Sequence, residues 1–433
     1  MSLTHSPIFR TLEHLGRGIL TLALSLLILG SLLPLPVQAG AWKGQEVEEG
    51  GVKVMLNPDK GMESAKTVEL EELWRIGGDT DDEDEFFGLI AAINADDDGN
   101  IYVLDLQLAE VKVYDPDGVY LRSLGREGEG PGEFRFPSGM FFLPDGNLGV
   151  VQTAPGRIAG LTLDGDPLSD YPIPSREDGS TTILRTGRGV GDNLYLMLQF
   201  NQFLQDEGKF HQTVQLVRAD TEGNILAEFT SSKNTLDFAN AVFAEKDWDN
   251  FVNRWDLGAD GQVIVAETYG EYEVSVWNNQ GEKEMIIKRE MDHRKREQSE
   301  IDRLECIFGA FTRQVPDAKI VIGENDQDIF RVYGRNDGSI WVNTSHGSSE
   351  DLPEGVAGMF DVFDSKGRFV REVTLKGQGD PRADAYFFVG DRFYVVTGML
   401  DAAMALQGGG GDCDPEAEEE PEPMAVICYR LNI

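Results

Sequence analysis

The chain is short of the residues from which metal centres and disulfide frameworks are built. Its 433 residues include only three cysteines and five histidines. Cys306, Cys413 and Cys428 have no CxxC spacing, and beyond the N-terminal segment only His211, His293 and His346 remain, each in a different stretch. That pattern argues against a tetrahedral zinc site. Basic residues are scarce too: 38 Lys and Arg against 76 Asp and Glu give a formal charge of −38. A field of that sign repels nucleic-acid phosphates and anionic lipid headgroups, so neither is expected as a partner.

Long apolar runs are missing but for one, residues 19–33, ILTLALSLLILGSLL. It is short for a membrane span. Arg10 and Arg17 precede it, and Val37-Gln38-Ala39 supplies the small residues that a signal peptidase reads. Residues 1–39 are therefore expected to be a signal peptide cleaved near Ala39. The mature chain would be periplasmic or extracellular, with no stable membrane insertion. No cysteine follows the run to carry a lipid anchor. Loss of Arg10, Arg17 and Glu13 with this segment takes the formal charge to −39. Residues 40–66, rich in Gly, Glu and Lys, lack a sustained apolar period and are expected to be a linker.

What the sequence has is a repeat. Tight turns recur at Asp98-Gly99-Asn100, Asp145-Gly146-Asn147, Gly191-Asp192-Asn193, Asp260-Gly261-Gln262, Asp337-Gly338-Ser339 and Gly390-Asp391-Arg392. Such pairs supply the positive φ that hairpins need. Each precedes a run apolar at nearly every position: IYVLD, LGVVQ, LYLML, VIVAE, IWVNT and FYVVT. Absence of alternation means that both faces are buried, as when sheets pack face to face around an axis. A second hairpin follows in most copies, as at Asp115-Pro116-Asp117-Gly118. The sixth copy ends at CYRLNI without an outer strand, and residues 68–76, VELEELWRI, match the last strand of a unit with no strands before them. The N-terminal strand is thus expected to pair with the C-terminal hairpin and close the ring, which removes exposed sheet edges.

The elements GEGPGEFRFPSG, PDGNLGVV, DGNIYVLD, VKVYDPDG and YLRSLG resemble the repeats of NHL-type six-bladed β-propellers and their bacterial exported relatives. The resemblance is tight over the first two units and looser beyond, and as an architecture it spans residues 68–433. It implies an all-β fold of six four-stranded antiparallel blades over residues 67–433. It says less about activity, since members include binding scaffolds, lyases and lactonase-like enzymes. Lactonase-like members would hold calcium through inward Glu, Asn and Asp; their early E-G-P or E-S-P motif has no counterpart at Gly130-Pro131-Gly132-Glu133.

Two insertions break the period, residues 229–250 and 290–328. In the second, between units 4 and 5, Ile301, Leu304, Ile307 and Phe308 fall at helical spacing, which predicts an amphipathic helix lying on the ring as a cap. The acidic run 79–85, DTDDEDE, could attract calcium but lacks the glycine and spacing of an ordered loop, and reads as a solvated charge run. No cofactor is expected; calcium is the one candidate. Cys413 and Cys428 flank an acidic, Pro-containing loop and could close it as a disulfide.

Equivalent positions of the units form rings. The residue past each apolar core is Asp105, Gln152, Leu198, Glu267, Thr344 or Thr397, and five of the six are polar. Seven residues before the second residue of each turn pair (Gly99, Gly146, Asp192, Gly261, Gly338 and Asp391) stand Ala92, Gly139, Arg185, Arg254, Arg331 and Asp384. Arginine at three successive units, in so acidic a chain, points to recognition of a carboxylate or phosphate. The alternative is that each arginine pairs with an acid and holds the ring together. The expected ligand contacts are Arg185, Arg254, Arg331, Glu267 and Asp105. The leading expectation is a monomeric, non-enzymatic module binding a small anionic ligand or a protein segment at the axial mouth. A divalent-cation-dependent lactonase-like hydrolase or lyase, and a scaffold binding partners by its outer loops, are the alternatives.

Overall fold

The computed structural model describes residues 40–433 apart from 81, 250, 313–314, 316, 350–351 and 407–422. The expected signal peptide and Cys413 lie outside the described residues. Strands β1 (Gln45–Glu49), β2 (Val52–Asn57), β3 (Lys66–Glu69) and β4 (Glu71–Gly77) come first. Six antiparallel sheets follow in chain order. The first holds β5 (Ile90–Ala95), β6 (Ile101–Asp105), β7 (Glu110–Tyr114) and β8 (Tyr120–Leu124), and the second β9 (Pro137–Phe142), β10 (Leu148–Gln152) and β11 (Arg157–Leu161). The third holds β12 (Thr181–Val190), β13 (Asn193–Leu204), β14 (Lys209–Ala219) and β15 (Ile225–Asp237). After β16 (Val242–Ala244) and helix α1 (Glu245–Trp248), the fourth holds β17 (Trp255–Leu257), β18 (Val263–Val265), β19 (Glu273–Trp277) and β20 (Lys283–Arg289). Helix α2 (Gln298–Thr312) and β21 (Lys319–Val321) lead to the fifth, β22 (Ile329–Gly334), β23 (Ile340–Thr344), β24 (Val356–Phe363) and β25 (Phe369–Lys376). The sixth holds β26 (Ala385–Val389), β27 (Arg392–Thr397) and, after helix α3 (Met399–Leu406), β28 (Ala425–Arg430). None of the helices among the described residues is long and apolar enough to cross a membrane.

The core explains the arrangement. Every residue of β6, β10 and β23 is buried. In β6, Tyr102 and Leu104 pack with Met140 and Leu148 of the second sheet. Ile101 and Val103 pack on the other side with Tyr394 and Val426 of the sixth. The remaining apolar clusters join sheets two and three, three and four, four and five, and five and six. Each sheet is thus a blade sharing its two faces with its neighbours. The fold is a six-bladed β-propeller. The turn glycines carry the required left-handed backbone, with φ of 83° at Gly99 and 81° at Gly146.

The N-terminal strands depart from the expected simple linker and single strand. β4 pairs antiparallel with β28, Ile76 opposite Val426, and supplies the outer strand of the sixth blade. β3 instead lies parallel to β25 in the fifth blade, so residues 68–76 serve two sheets, with Leu70 between them. Within the stretch expected as a linker, β1 and β2 form a hairpin, and β2 extends the fourth blade in parallel with β20. Blade 2 has three strands in place of four: beyond β11 only isolated bridges at Tyr171 and Pro167 occur. The segment there, DPLSDYPIP, carries Pro167, Pro172 and Pro174, which have no N–H to donate to a ladder.

Candidate functional site

In a four-stranded meander the first-to-second and third-to-fourth hairpins share one end of the blade. The second-to-third loops and the blade-to-blade connections share the other. Both insertions and both expected rings belong to this second end, the connection face.

The polar ring serves the fold. Asp105, fully buried, accepts the amide of Gly88 at 2.7 Å on Oδ2, and those of Leu89, Gln107 and Leu108 at 3.2, 2.9 and 2.9 Å on Oδ1. Its carboxylate clasps the chain entering β5 to the loop leaving β6. Gln152 repeats this in blade 2, accepting the Arg135 amide at 2.9 Å and donating to the Pro155 carbonyl at 3.0 Å. The hydroxyls of Thr344 and Thr397 accept the amides of Gly347 and Ala425. Glu267 accepts from the Thr230 hydroxyl of blade 3 at 3.0 Å and the Trp277 indole at 3.3 Å, and pairs with Lys283 at 3.0 Å. Asp105 and Glu267, expected as ligand contacts, are therefore engaged inside the protein.

The arginine ring is corrected in register. Strand pairing sets Ala92 opposite Leu104, Gly139 opposite Val151, Thr186 opposite Met197, Arg331 opposite Asn343 and Ala385 opposite Val396. In blade 4 the Arg254 carbonyl accepts the Ala266 amide. The shared position thus reads Ala92, Gly139, Thr186, Arg254, Arg331 and Ala385. Arg185 and Asp384 stand one residue earlier, and Arg185 is the residue skipped where the ladder shifts between Leu184 and Thr186. A bulge adds a residue without adding a pair, which a count along the sequence does not register.

The three arginines have different surroundings. Arg254, 2% exposed, is ion-paired with Asp249 and reaches the Thr268 carbonyl and Gln327 Oε1 at 3.5 and 3.4 Å. Burial outweighs the attraction within this pair, pushing the guanidinium down and the Asp249 carboxyl up. Arg331, half-buried, lies beside Tyr333 and has no ion pair to any described residue. Arg185 is half-buried with no hydrogen bond or ion pair to any described residue, and burial alone lowers its pKa.

Arg254 is closed off by a cap that the two insertions build together. β16 and β21 pair in parallel, Val242 with Lys319 and Ala244 with Val321. Arg296 bridges them, bonding both Glu245 oxygens at 2.6 and 2.7 Å and Asp326 at 3.0 Å. Arg294 holds Asp326 at 3.1 Å and Glu300 of α2 at 2.5 Å. His293 contacts the buried Asp328 at 2.8 Å, and that bond raises its pKa above 6.5. The predicted helix is α2; Ile301, Leu304, Ile307 and Phe308 are all half-buried.

A cavity lies between the outer strands of blades 4 and 5, at the connection face, with Thr344 of the polar ring in its lining. It has a volume of about 330 Å³ and is lined by Arg289, Asp361, Glu372 and Phe360, with His346 and Asp292 at its rim. Its floor is a buried polar triad: Asp361 accepts from Arg289 at 2.6 Å and from the Tyr272 hydroxyl at 2.7 Å. Arg289 also donates to the Asp59 carbonyl at 3.1 Å and lies over the Phe369 ring at 4.3 Å. Burial raises the Asp361 carboxyl to about 6 despite Arg289. Sequence reasoning passed over these residues, although a lone Asp within the apolar strand VAGMFDVF was a signal. Among the described residues, no three His, Cys, Asp or Glu side chains come together where they could hold a metal ion.

Cys428 is a free, fully buried thiol in mid-β28, its Sγ 3.6 Å from Arg392, so the expected bridge to Cys413 is not formed. Paired between β27 and β4, it sits inside the sixth blade. Cys306, in α2, is disulfide-bonded.

Comparison with known proteins agrees with the architecture. Residues 76–255 match the family DUF5128, described as a 6-bladed beta-propeller. No curated protein matches the chain. Among solved structures, an exported protein of Bacteroides fragilis is similar at 11% identity and a TM-score of 0.44, over 85% of this chain and 100% of that one. A DUF4221 member from Bacteroides vulgatus is similar at 10% identity and a TM-score of 0.47, over 83% and 97%. Virginiamycin B lyase of Staphylococcus aureus is similar at 12% identity and a TM-score of 0.38, over 78% and 80%. Likenesses this distant carry no inference about activity.

Proposed function

We propose that the chain is an exported, NHL-like propeller acting as a binding module, which takes the anionic group of a small molecule or protein segment at the axial mouth. The supporting observation is Arg185, a half-buried guanidinium with no acceptor among the described residues. A charge withdrawn from water without a partner is unfavourable, and an arriving carboxylate or phosphate offsets that cost through charge-assisted hydrogen bonds. Arg331, also without an ion pair among the described residues, is the second contact. Arg254 belongs to the cap, and Asp105 and Glu267 to the blades.

The test is thermal unfolding of the mature protein with inorganic phosphate, citrate and succinate, against sodium chloride of equal ionic strength. A ligand at a hundred times its Kd stabilises by about 2.7 kcal/mol. The expected result is a rise in Tm with at least one of these anions that Arg185→Ala removes and Arg185→Lys partly keeps. Equal shifts in wild type and Arg185→Ala would place the anion elsewhere.

A further inference from the structure

The cavity between blades 4 and 5 does not include Arg185 in its lining. Its formal lining charge is opposite to what an anion needs: Asp59, Asp292, Asp361 and Glu372 face one cation, Arg289. That cation is already committed, its side chain 9% exposed and ion-paired with Asp361.

Asp361 itself is left half satisfied. It is 3% exposed and lines the cavity, yet both of its hydrogen bonds, from Tyr272 and Arg289, fall on Oδ2. Oδ1 accepts none from any described residue. A carboxylate oxygen left without a donor, on a residue that lines the cavity, is free to accept from a ligand there. Glu372, paired across the ladder with Asp361, is half-buried and has no hydrogen-bond or ion-pair partner among the described residues. The remaining wall is apolar, from Met291, Met359 and Phe360.

The carboxylates are too dispersed to converge on one metal ion among the described residues. A cation with an apolar body fits instead. We infer that this cavity binds a small organic ammonium, whose N–H groups donate to Asp361 Oδ1 and Glu372 while its carbon skeleton lies against Phe360 and the two methionines. The volume, about 330 Å³, is at the small end of ligand pockets. That size suits a compact amine and not a peptide.

Isothermal titration of the mature protein with cadaverine, tyramine and choline tests this, with butyrate and calcium chloride as controls. One ammonium probe is expected to bind one to one with a Kd below about 1 mM. Glu372→Gln should weaken it roughly tenfold or more, the loss of one charged hydrogen bond. Met359→Trp should abolish binding by filling the cavity, while Arg185→Ala should leave it unchanged. Glu372→Gln leaves the Arg289–Asp361–Tyr272 triad intact, and an unchanged Tm verifies its folding. The inference is overturned if none of the three amines binds, if calcium binds in their place, or if Glu372→Gln and Met359→Trp bind the amine as wild type does. Loss of amine binding in Arg185→Ala would assign the amine to the mouth.

Discussion

At the scale of single residues, the three arginines differ in what their removal should do, and this separates structure from recognition. Arg254→Ala leaves the half-buried Asp249 without its cation; breaking a fully buried pair costs about 3–5 kcal/mol, and the 20% exposure of the Asp249 side chain places this loss at or below the lower end. Arg185→Ala removes a half-buried charge that has no partner among the described residues, so stability should be unchanged or slightly raised. Urea unfolding of both variants checks the contrast; equal destabilisation would mean that Arg185 is also a structural residue. Asp361 makes a second prediction. Its folded pKa, about 6, is raised above the ordinary 3.8, so the native state holds this proton more tightly than the unfolded chain does. Its contribution is full below about pH 4 and is lost as pH rises through about 6, a change of about 3 kcal/mol. Asp361→Asn keeps an acceptor for Tyr272 and removes the titration. The stability of wild type relative to Asp361→Asn should therefore fall by roughly 2 kcal/mol from pH 4 to pH 7. A difference independent of pH would refute the raised value.

At the scale of elements, the residue after each second strand acts as a clasp, and its chemistry varies while its task does not. Asp105 is the most complete case, with four backbone amides on one carboxylate. Asp105→Ala strands these buried donors and should cost about 3 kcal/mol or more, read as a lowered urea midpoint. Asp105→Asn, which keeps acceptor capacity, should recover part of it. This position was legible in the sequence as polar, but its role was not. Asp at a strand end at an open mouth and Asp folded back on the chain look the same as letters, and burial distinguishes them. The cap shows the same limit. The α2 stripe was readable from its period, whereas the parallel pairing of β16 with β21 joins segments 77 residues apart at Val242 and Lys319 and has no local signature.

At the scale of the whole molecule, the N-terminal strands bind late blades to the start of the chain. β2 adds to blade 4, β3 to blade 5 and β4 to blade 6. Ile76 of β4 lies in the same apolar cluster as Ile90 and Val103 of blade 1, so this strand seals the seam between first and last blades. A chain starting at Gly78 would bare the edge of β28 and open that seam. It should lose cooperative unfolding and aggregate, checked by calorimetry and light scattering. A soluble chain with a single sharp transition would show that the seam is dispensable.

The sequence by itself determined six repeated units with doubly buried strands, because turn glycines and apolar runs act locally and recur at each blade. It also marked the N-terminal strand as the missing partner of the last hairpin, since that strand carries its unit's signature. Tertiary structure alone decided which polar residues remain open to a ligand. A bulge at Arg185 moves it out of the arginine row, Asp249 from the preceding connection neutralises Arg254, and the chain's own amides occupy Asp105. The acidic cavity arises only where Asp59, Arg289, Asp361 and Glu372 meet from four separate strands or their ends. A repeat encodes what each blade does for itself; what one blade and its insertions do to the next depends on contacts that the period does not carry.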